Sequence, residues 1–357
     1  MNEKTLMMGN EAMSEAAIRA GCRFYAGYPI TPQNEVSEYL AQKLPEAGGV
    51  FIQAESELAA INMVFGAAAS GIRALTSSSS PGISLKQEGI SYIAAAQIPC
   101  VIANLMRGGP GLGNIRGSQG DYFQATKGGG HGDYRLIVLA PWSVQEMYDL
   151  TFEAFELADR YRNPAMILAD GIQGQMAEAI ELKDFPKKTP AKKEWALTGC
   201  KGRKPNVVRT LYLEPEDALE KLNVELAQKY EKIEKELQVS QEIECEDAEL
   251  LIVAYGTAAR TAKAAIRQAR AEGIRVGLFR PVILWPFPWK ALAKIARRVR
   301  KILVVEMSNG QMIEDVKLAC YRDECRTPVA FLGRGGGWYP KPSEILGRIK
   351  EETRVSG

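Results

Sequence analysis

The run "FIQAESELAAINMVFGAAASG" (51–71) puts a carboxylate, Glu57, at the head of a segment made almost wholly of Ala, Gly and medium apolar residues. The pattern predicts a strand end at Val50-Phe51-Ile52, a short polar turn, and then a helix. On that helix Glu57 shares a face with Ile61, Val64 and Ala68, because residues three and four apart stack on one side. The face is small and apolar, of the kind that packs closely on another surface. A glutamate in the first turn is also favoured by the backbone dipole, so Glu57 reads either as a cap or as a working acid.

Three further loops follow predicted strands, where open parallel sheets place their ligands. In "GYPITPQNE" (27–35) two prolines fix the backbone around Thr31 and present its hydroxyl in one direction; the same residues also read as a stiff turn before a helix. "TSSSSPG" (76–82) is a hydroxyl-rich loop able to hydrogen-bond an anion. In "LMRGGPGLGNIRGSQGDY" (105–122) Arg107 leaves the apolar run "VIANL" and enters a Gly-rich segment. A guanidinium there suits a carboxylate, which it grips through two N–H groups, although a surface arginine at a strand end is the plainer reading. "GGGHGDY" (128–134) sets His131 among glycines, where it reads as a substrate or partner contact or as a structural histidine.

The elements that must hold these loops alternate in type. Residues 1–180 interleave strand-like and helical patterns, which argues for a doubly wound parallel sheet covered on both faces. Residues 181–245 form a basic, Pro-containing connector, exposed or facing a partner, followed by a charged helix. One apolar stripe runs along that helix through Leu219, Leu222, Leu226, Tyr230, Ile233 and Leu237. Residues 246–357 repeat the α/β alternation, with "AELLIVAYGT", "IRVGLFRPVIL", "KILVVEMS" and "TPVAFLGR" as strands. A chain of 357 residues suits this division.

Composition removes several classes of function. With 45 basic and 43 acidic side chains the net charge is +2, so nothing in bulk draws the chain to nucleic acid or an anionic membrane. The six cysteines are scattered without a C-x-x-C, which argues against a cluster-binding or structural zinc motif, and one histidine cannot build a His-rich metal centre. No dinucleotide fingerprint, Walker loop or GxSxG elbow occurs. The N-terminal stretch lacks the basic end and apolar core of a signal peptide, and no run of about 18 apolar residues exists to span a bilayer, so a cytoplasmic location is expected.

Taken together, "GYPITPQNE", "QAESELAAINMVFGAAASG", "TSSSSPGISLKQEGISY", "MRGGPGLG" and "GGGHGDYRLIVLAP" resemble the α subunit of 2-oxoacid:ferredoxin oxidoreductases, nearest the branched-chain (2-oxoisovalerate) type. "AYGTAARTAKAAI", "FRPVILWPFP" and "ILVVEMSNGQM" extend the likeness through the second unit. The resemblance implies a pyrimidine-type thiamine diphosphate-binding domain followed by a transketolase C-terminal-like α/β domain. It implies that Glu57 hydrogen-bonds N1′ of the aminopyrimidine, and that Tyr28, Pro29 and Ile30 also line the cofactor. Thr31 and Arg107 would hold the oxoacid, Arg107 by its carboxylate. A carboxyl shielded from water on an apolar face takes a proton more readily and can share one with a ring nitrogen, so the implied role agrees with the residue's setting.

Thiamine enzymes hold magnesium and the diphosphate with a GDG motif and a following Asn, and this chain offers only "ADGIQG" (169–174) with no suitable Asn after it. The resemblance therefore implies that a β subunit brings Mg2+ and the diphosphate site, so that the thiamine diphosphate is shared. It also implies [4Fe-4S] clusters in partner subunits, γ and ferredoxin-like δ chains, an external ferredoxin, and coenzyme A as co-substrate. The expected interface lies near loops 27–35 and 105–132, with no metal site in this chain. The expected reaction is oxidative decarboxylation of a 2-oxoacid to acyl-CoA. Tyr28, Ile30 and Leu112 favour an aliphatic substrate, with 2-oxoglutarate, pyruvate or an aryl pyruvate as alternatives. A non-catalytic scaffold subunit is the contrasting class.

Overall fold

The computed structural model describes residues 4–185 and 193–354; the part of the basic connector at 186–192 lies outside the described residues. Fourteen strands occur among the described residues. Eight lie in the first half: β1 (Lys4–Met8), β2 (Phe24–Gly27), β3 (Val50–Gln53), β4 (Ala74–Ser78), β5 (Val101–Met106), β6 (Ile137–Leu139), β7 (Ala165–Asp170) and β8 (Ala177–Glu181). Six follow: β9 (Ser240–Ile243), β10 (Leu250–Val253), β11 (Val276–Pro281), β12 (Ile283–Trp285), β13 (Lys301–Glu306) and β14 (Val329–Gly333).

The larger sheet has the order β12-β6-β7-β5-β4-β2-β3, parallel throughout except for β12. Its central strands are buried on both faces, which is why "VIANLM" and "AMILAD" read as continuous apolar runs. Alternation still sorts their side chains. Ala74, Ile102, Val138, Met166 and Leu168 face the helices Glu57–Ala69 and Ser80–Ala95. Leu75, Val101, Ala103, Leu105 and Ile167 face the helices Gly9–Arg19, Asn34–Glu46 and Val144–Tyr161. The helix Ala218–Glu236 joins this second face through Leu222, Leu226, Tyr230 and Ile233, with Leu237 at its end. Leu219, expected in the same stripe, stands half exposed in the first turn, and burial begins one turn later.

The smaller sheet runs β14-β13-β10-β11-β9, with only β9 antiparallel. The run "IRVGLFRPVIL", read from sequence as one strand, is two. Pro281 ends β11, and the chain crosses at Val282, whose carbonyl accepts from Ala140 N–H (2.8 Å). β12 then pairs with β6 of the larger sheet. Pro281 has no N–H to continue the ladder, so the change of sheet falls where pairing is weakest. Beside this crossing Arg280 is wholly buried and grips Glu146 through two hydrogen bonds of 2.6 and 2.8 Å. Its guanidinium also stacks on Trp142, 4.4 Å from the ring centre.

Candidate functional site

Four parallel strands, β2 to β5, end at one edge of the larger sheet, and the loops that leave them carry every residue singled out at 28–31, 57 and 107. Ser56 caps the helix Glu57–Ala69 by accepting from Ala59 N–H (3.1 Å). The cap is therefore Ser56, and the carboxylate of Glu57 is spared that role. Glu57 is buried and its carboxylate accepts no hydrogen bond among the described residues.

The helix Ser80–Ala95 crosses this helix closely because two glycines, about two turns apart on one face, meet it. A Cβ at Gly89 would stand 2.6 Å from Ile61 Cγ2, and a Cβ at Gly82 would stand 2.6 Å from Glu57 Oε1. Gly82 therefore leaves the space that the Glu57 carboxyl fills. Beside it the hydroxyls of Ser78 and Ser79 are buried with no hydrogen-bond partner among the described residues. Ser79 occupies the cap position of Ser80–Ala95 and caps nothing. Buried polar groups are rarely left unpaired, so these two hydroxyls and the Glu57 carboxylate fit a ligand that carries its own donors and acceptors.

On the other side of that first turn stands Arg107. Ser80 Oγ accepts from Arg107 N–H (3.0 Å) and donates to Asp121 Oδ2 (2.6 Å), which also accepts from Asn104 Nδ2 (2.9 Å). Burial pushes the Asp121 carboxyl above its usual range, against the pull of those two donors. The Arg107 side chain is buried; one terminal nitrogen donates to the Thr31 carbonyl (2.9 Å) and the other to the Leu112 carbonyl (3.0 Å), while Nε has no partner. It makes no ion pair among the described residues. A buried cation held by neutral carbonyls alone is costly, by several kcal/mol in general, and an incoming carboxylate would relieve it.

The sequence-selected residues thus fall into two groups. Thr31 and Arg107 are brought together directly, and Glu57 lies across the first turn of Ser80–Ala95 from them. Tyr28 and Pro29 are exposed at the rim and Ile30 is half-buried. The neighbours of these residues in the chain include exposed Leu58, Leu85, Leu112 and Ile115. His131 is elsewhere: it is exposed, its carbonyl accepts from Ser91 Oγ (2.8 Å), and its ring meets Tyr92 edge-on, towards the far end of the helix from Ser80. Asn114 ties the Arg107 loop to the second unit by donating to the Gly336 carbonyl (2.9 Å). In "ADGIQG", Asp170 Oδ1 accepts from Ile172 and Gln173 N–H groups and caps a short turn.

One residue of this neighbourhood escaped the reading of the sequence. Lys86 is wholly buried, donating to the carbonyl of Glu57 (3.2 Å) and to Thr76 Oγ1 (3.1 Å). Burial lowers its ammonium to about 8, partly offset by the charge of Glu57. Its signal was present, since Lys86 lies on the same helical face as Gly82, Ile83, Ile90 and Ile93, a charge in an apolar stripe.

A doubly wound α/β unit thus carries a buried acid and a buried guanidinium, with no ion pair to the latter among the described residues, at one edge of its sheet. The profile described as "Pyruvate flavodoxin/ferredoxin oxidoreductase, thiamine diP-bdg" matches residues 15–246, and "Pyruvate:ferredoxin oxidoreductase core domain II" matches 248–345. The chain belongs to the 2-oxoacid:ferredoxin oxidoreductase family. It is 49% identical to the ketoisovalerate oxidoreductase subunit VorB of Methanothermobacter marburgensis over 346 residues, 97% of each chain. It is 38% identical to the 2-oxoglutarate synthase subunit KorA of Methanocaldococcus jannaschii, over 95% of this chain and 97% of that one. The solved 2-oxoglutarate:ferredoxin oxidoreductase from Magnetococcus marinus, with 2-oxoglutarate, coenzyme A and succinyl-CoA bound, superposes with a TM-score of 0.85 at 26% identity, over 99% of this chain and 66% of that one. The family likeness expected from the motifs, and the fold it implied, are borne out.

Proposed function

We propose that this chain is the α subunit of a thiamine diphosphate-dependent 2-oxoacid:ferredoxin oxidoreductase that converts a branched-chain 2-oxoacid and coenzyme A to acyl-CoA, carbon dioxide and reduced ferredoxin. The observation that carries the reading is the pairing, at one sheet edge, of a buried carboxylate and a buried guanidinium that, among the described residues, have respectively no hydrogen bond and no counter-ion. Identity of 49% to a ketoisovalerate oxidoreductase subunit over nearly the whole chain supports the branched-chain substrate.

In this reading Glu57 holds a proton against N1′ of the aminopyrimidine, and the orphaned hydroxyls of Ser78 and Ser79 face the same ligand. Tyr28, Pro29 and Ile30 line the cofactor from the rim. When bound, thiamine diphosphate supplies the carbon nucleophile and the electron sink for decarboxylation. Arg107 binds the substrate carboxylate and Thr31 offers its hydroxyl to the oxoacid. Holding the carboxylate beside a fixed guanidinium orients the 2-oxo carbon, and the apolar rim excludes water once covered. The exposed apolar side chains beside the site support a partner surface there, with a β subunit bringing Mg2+ and the diphosphate site. γ and δ chains with [4Fe-4S] clusters and an external ferredoxin complete the electron path, and the domains divide at 1–180, 181–245 and 246–357.

The test is co-purification with partner chains, followed by ferredoxin-reduction assays on a panel of 2-oxoacids. The reading expects coenzyme A-dependent turnover, with kcat/KM highest for 2-oxoisovalerate. A preference for 2-oxoglutarate would overturn the substrate assignment, and no 2-oxoacid oxidation by the intact complex would overturn the whole.

A further inference from the structure

Lys86 has no place in the mechanism above, and its position is costly. A Leu or Met at this point of the helix would fill the apolar stripe, whereas the ammonium must be kept out of water. It is stabilised by two hydrogen bonds, and both are informative. One acceptor is the carbonyl of Glu57 itself, so the amine grips the first turn of the helix that carries the acid. The other is Thr76 Oγ1 on β4, whose own hydroxyl donates to the Ala26 carbonyl (2.7 Å) on β2. Lys86 thus links the Glu57 turn to two of the strands that end in the site.

We propose that Lys86 is a positioning residue for Glu57, fixing the helical turn that carries the acid against the sheet. The charged groups around it support a specific coupling. From the helix packed on its own, the acid that bears on Lys86 is Glu57. Strand β4 faces it with Thr76, which does not titrate. Asp121, the buried acid near the start of its own helix, is engaged by Ser80 and Asn104. Without these two hydrogen bonds the turn that carries Glu57 is no longer tied to β4.

This inference rests on the reading of Glu57 as the acid facing the cofactor, and the experiment separates the two. The affinity of the cofactor-depleted complex for thiamine diphosphate with Mg2+ is measured by titration calorimetry from pH 6 to 9.5 for wild type, K86M, K86R and E57Q. Thermal unfolding of each variant checks that it folds. The expected result is that K86M binds the cofactor about tenfold more weakly than wild type across this range, while K86R, which can still donate to both acceptors, stays near wild type; E57Q, which loses the acid itself, also binds about tenfold more weakly. Coincident K86M and wild-type profiles in folded complexes would overturn the role of Lys86, as would K86R moving with K86M. A wild-type profile and affinity retained in E57Q would instead overturn the reading of Glu57.

Discussion

Gly82 lies so close to Glu57 that a methyl group on it would stand 2.6 Å from the glutamate Oε1. The space is therefore already used, and Gly82→Ala must displace the Ser78 hydroxyl, which the methyl would approach to 2.1 Å, push the Glu57 carboxyl aside, or part the two helices. The expected outcome is a loss of about 1–3 kcal/mol in chain stability and a cofactor affinity at least about tenfold weaker by calorimetry, since a 1.4 kcal/mol misfit is a factor of ten. Wild-type affinity in G82A would show that Glu57 does not need its present place.

Arg107 is expected to act on the substrate alone. Arg107→Gln should raise KM for the 2-oxoacid by about 100-fold, the worth of a charge-assisted pair of about 3 kcal/mol. Thiamine diphosphate affinity should be unchanged. Arg107→Lys should recover little, because an ammonium cannot keep two divergent carbonyl contacts and still present a flat fork to a carboxylate.

The ionisation of Lys86 has a consequence for stability. Its folded-state value, about 8, lies below the usual 10.5. Between these values the unfolded chain binds a proton that the folded chain has released, so stability rises with pH through that window. Below about pH 8 the full penalty applies, on the order of 3 kcal/mol. Lys86→Met removes it but forfeits two hydrogen bonds worth about 1 kcal/mol each. Denaturant unfolding should therefore find K86M about 1 kcal/mol more stable than wild type at pH 7 and no more stable at pH 10.5.

The pair Arg280–Glu146 joins the two units where the chain changes sheets, with the guanidinium wholly buried and the carboxylate partly exposed. Glu146→Gln leaves a buried cation without its counter-charge, and removing one partner of such a pair generally costs about 3–5 kcal/mol. The expected readout is a lower denaturation midpoint with an unchanged m-value, and a midpoint equal to that of wild type would contradict it.

What could be read in advance follows from which signals are local. Buried parallel strands announce themselves as apolar runs, and "VIANLM" and "AMILAD" were legible for that reason. The ribbon of β1 and β8 was not, because its strands pair across most of the first unit (Lys4 with Glu181 at one end, Met8 with Ala177 at the other) and carry mixed polar residues. The same limit governs the site. Glu57, Thr31 and Arg107 stood out by type and place on their loops. The pairing of Arg107 with the Thr31 carbonyl, and the seat of Glu57 on Gly82, depend on contacts between separate elements. Lys86 was hidden by its setting in an ordinary-looking helix, although its face held the clue. His131 drew notice among its glycines, and the fold takes it to Tyr92, away from Arg107.

The most direct test of the account is the turnover of the reconstituted complex carrying Glu57→Gln. Gln keeps the size of the side chain and loses the shared proton, so kcat should fall by about 10²–10⁴-fold while the complex still assembles and KM for the 2-oxoacid stays near wild type. A complex that turns over at the wild-type rate with glutamine at position 57 would contradict it.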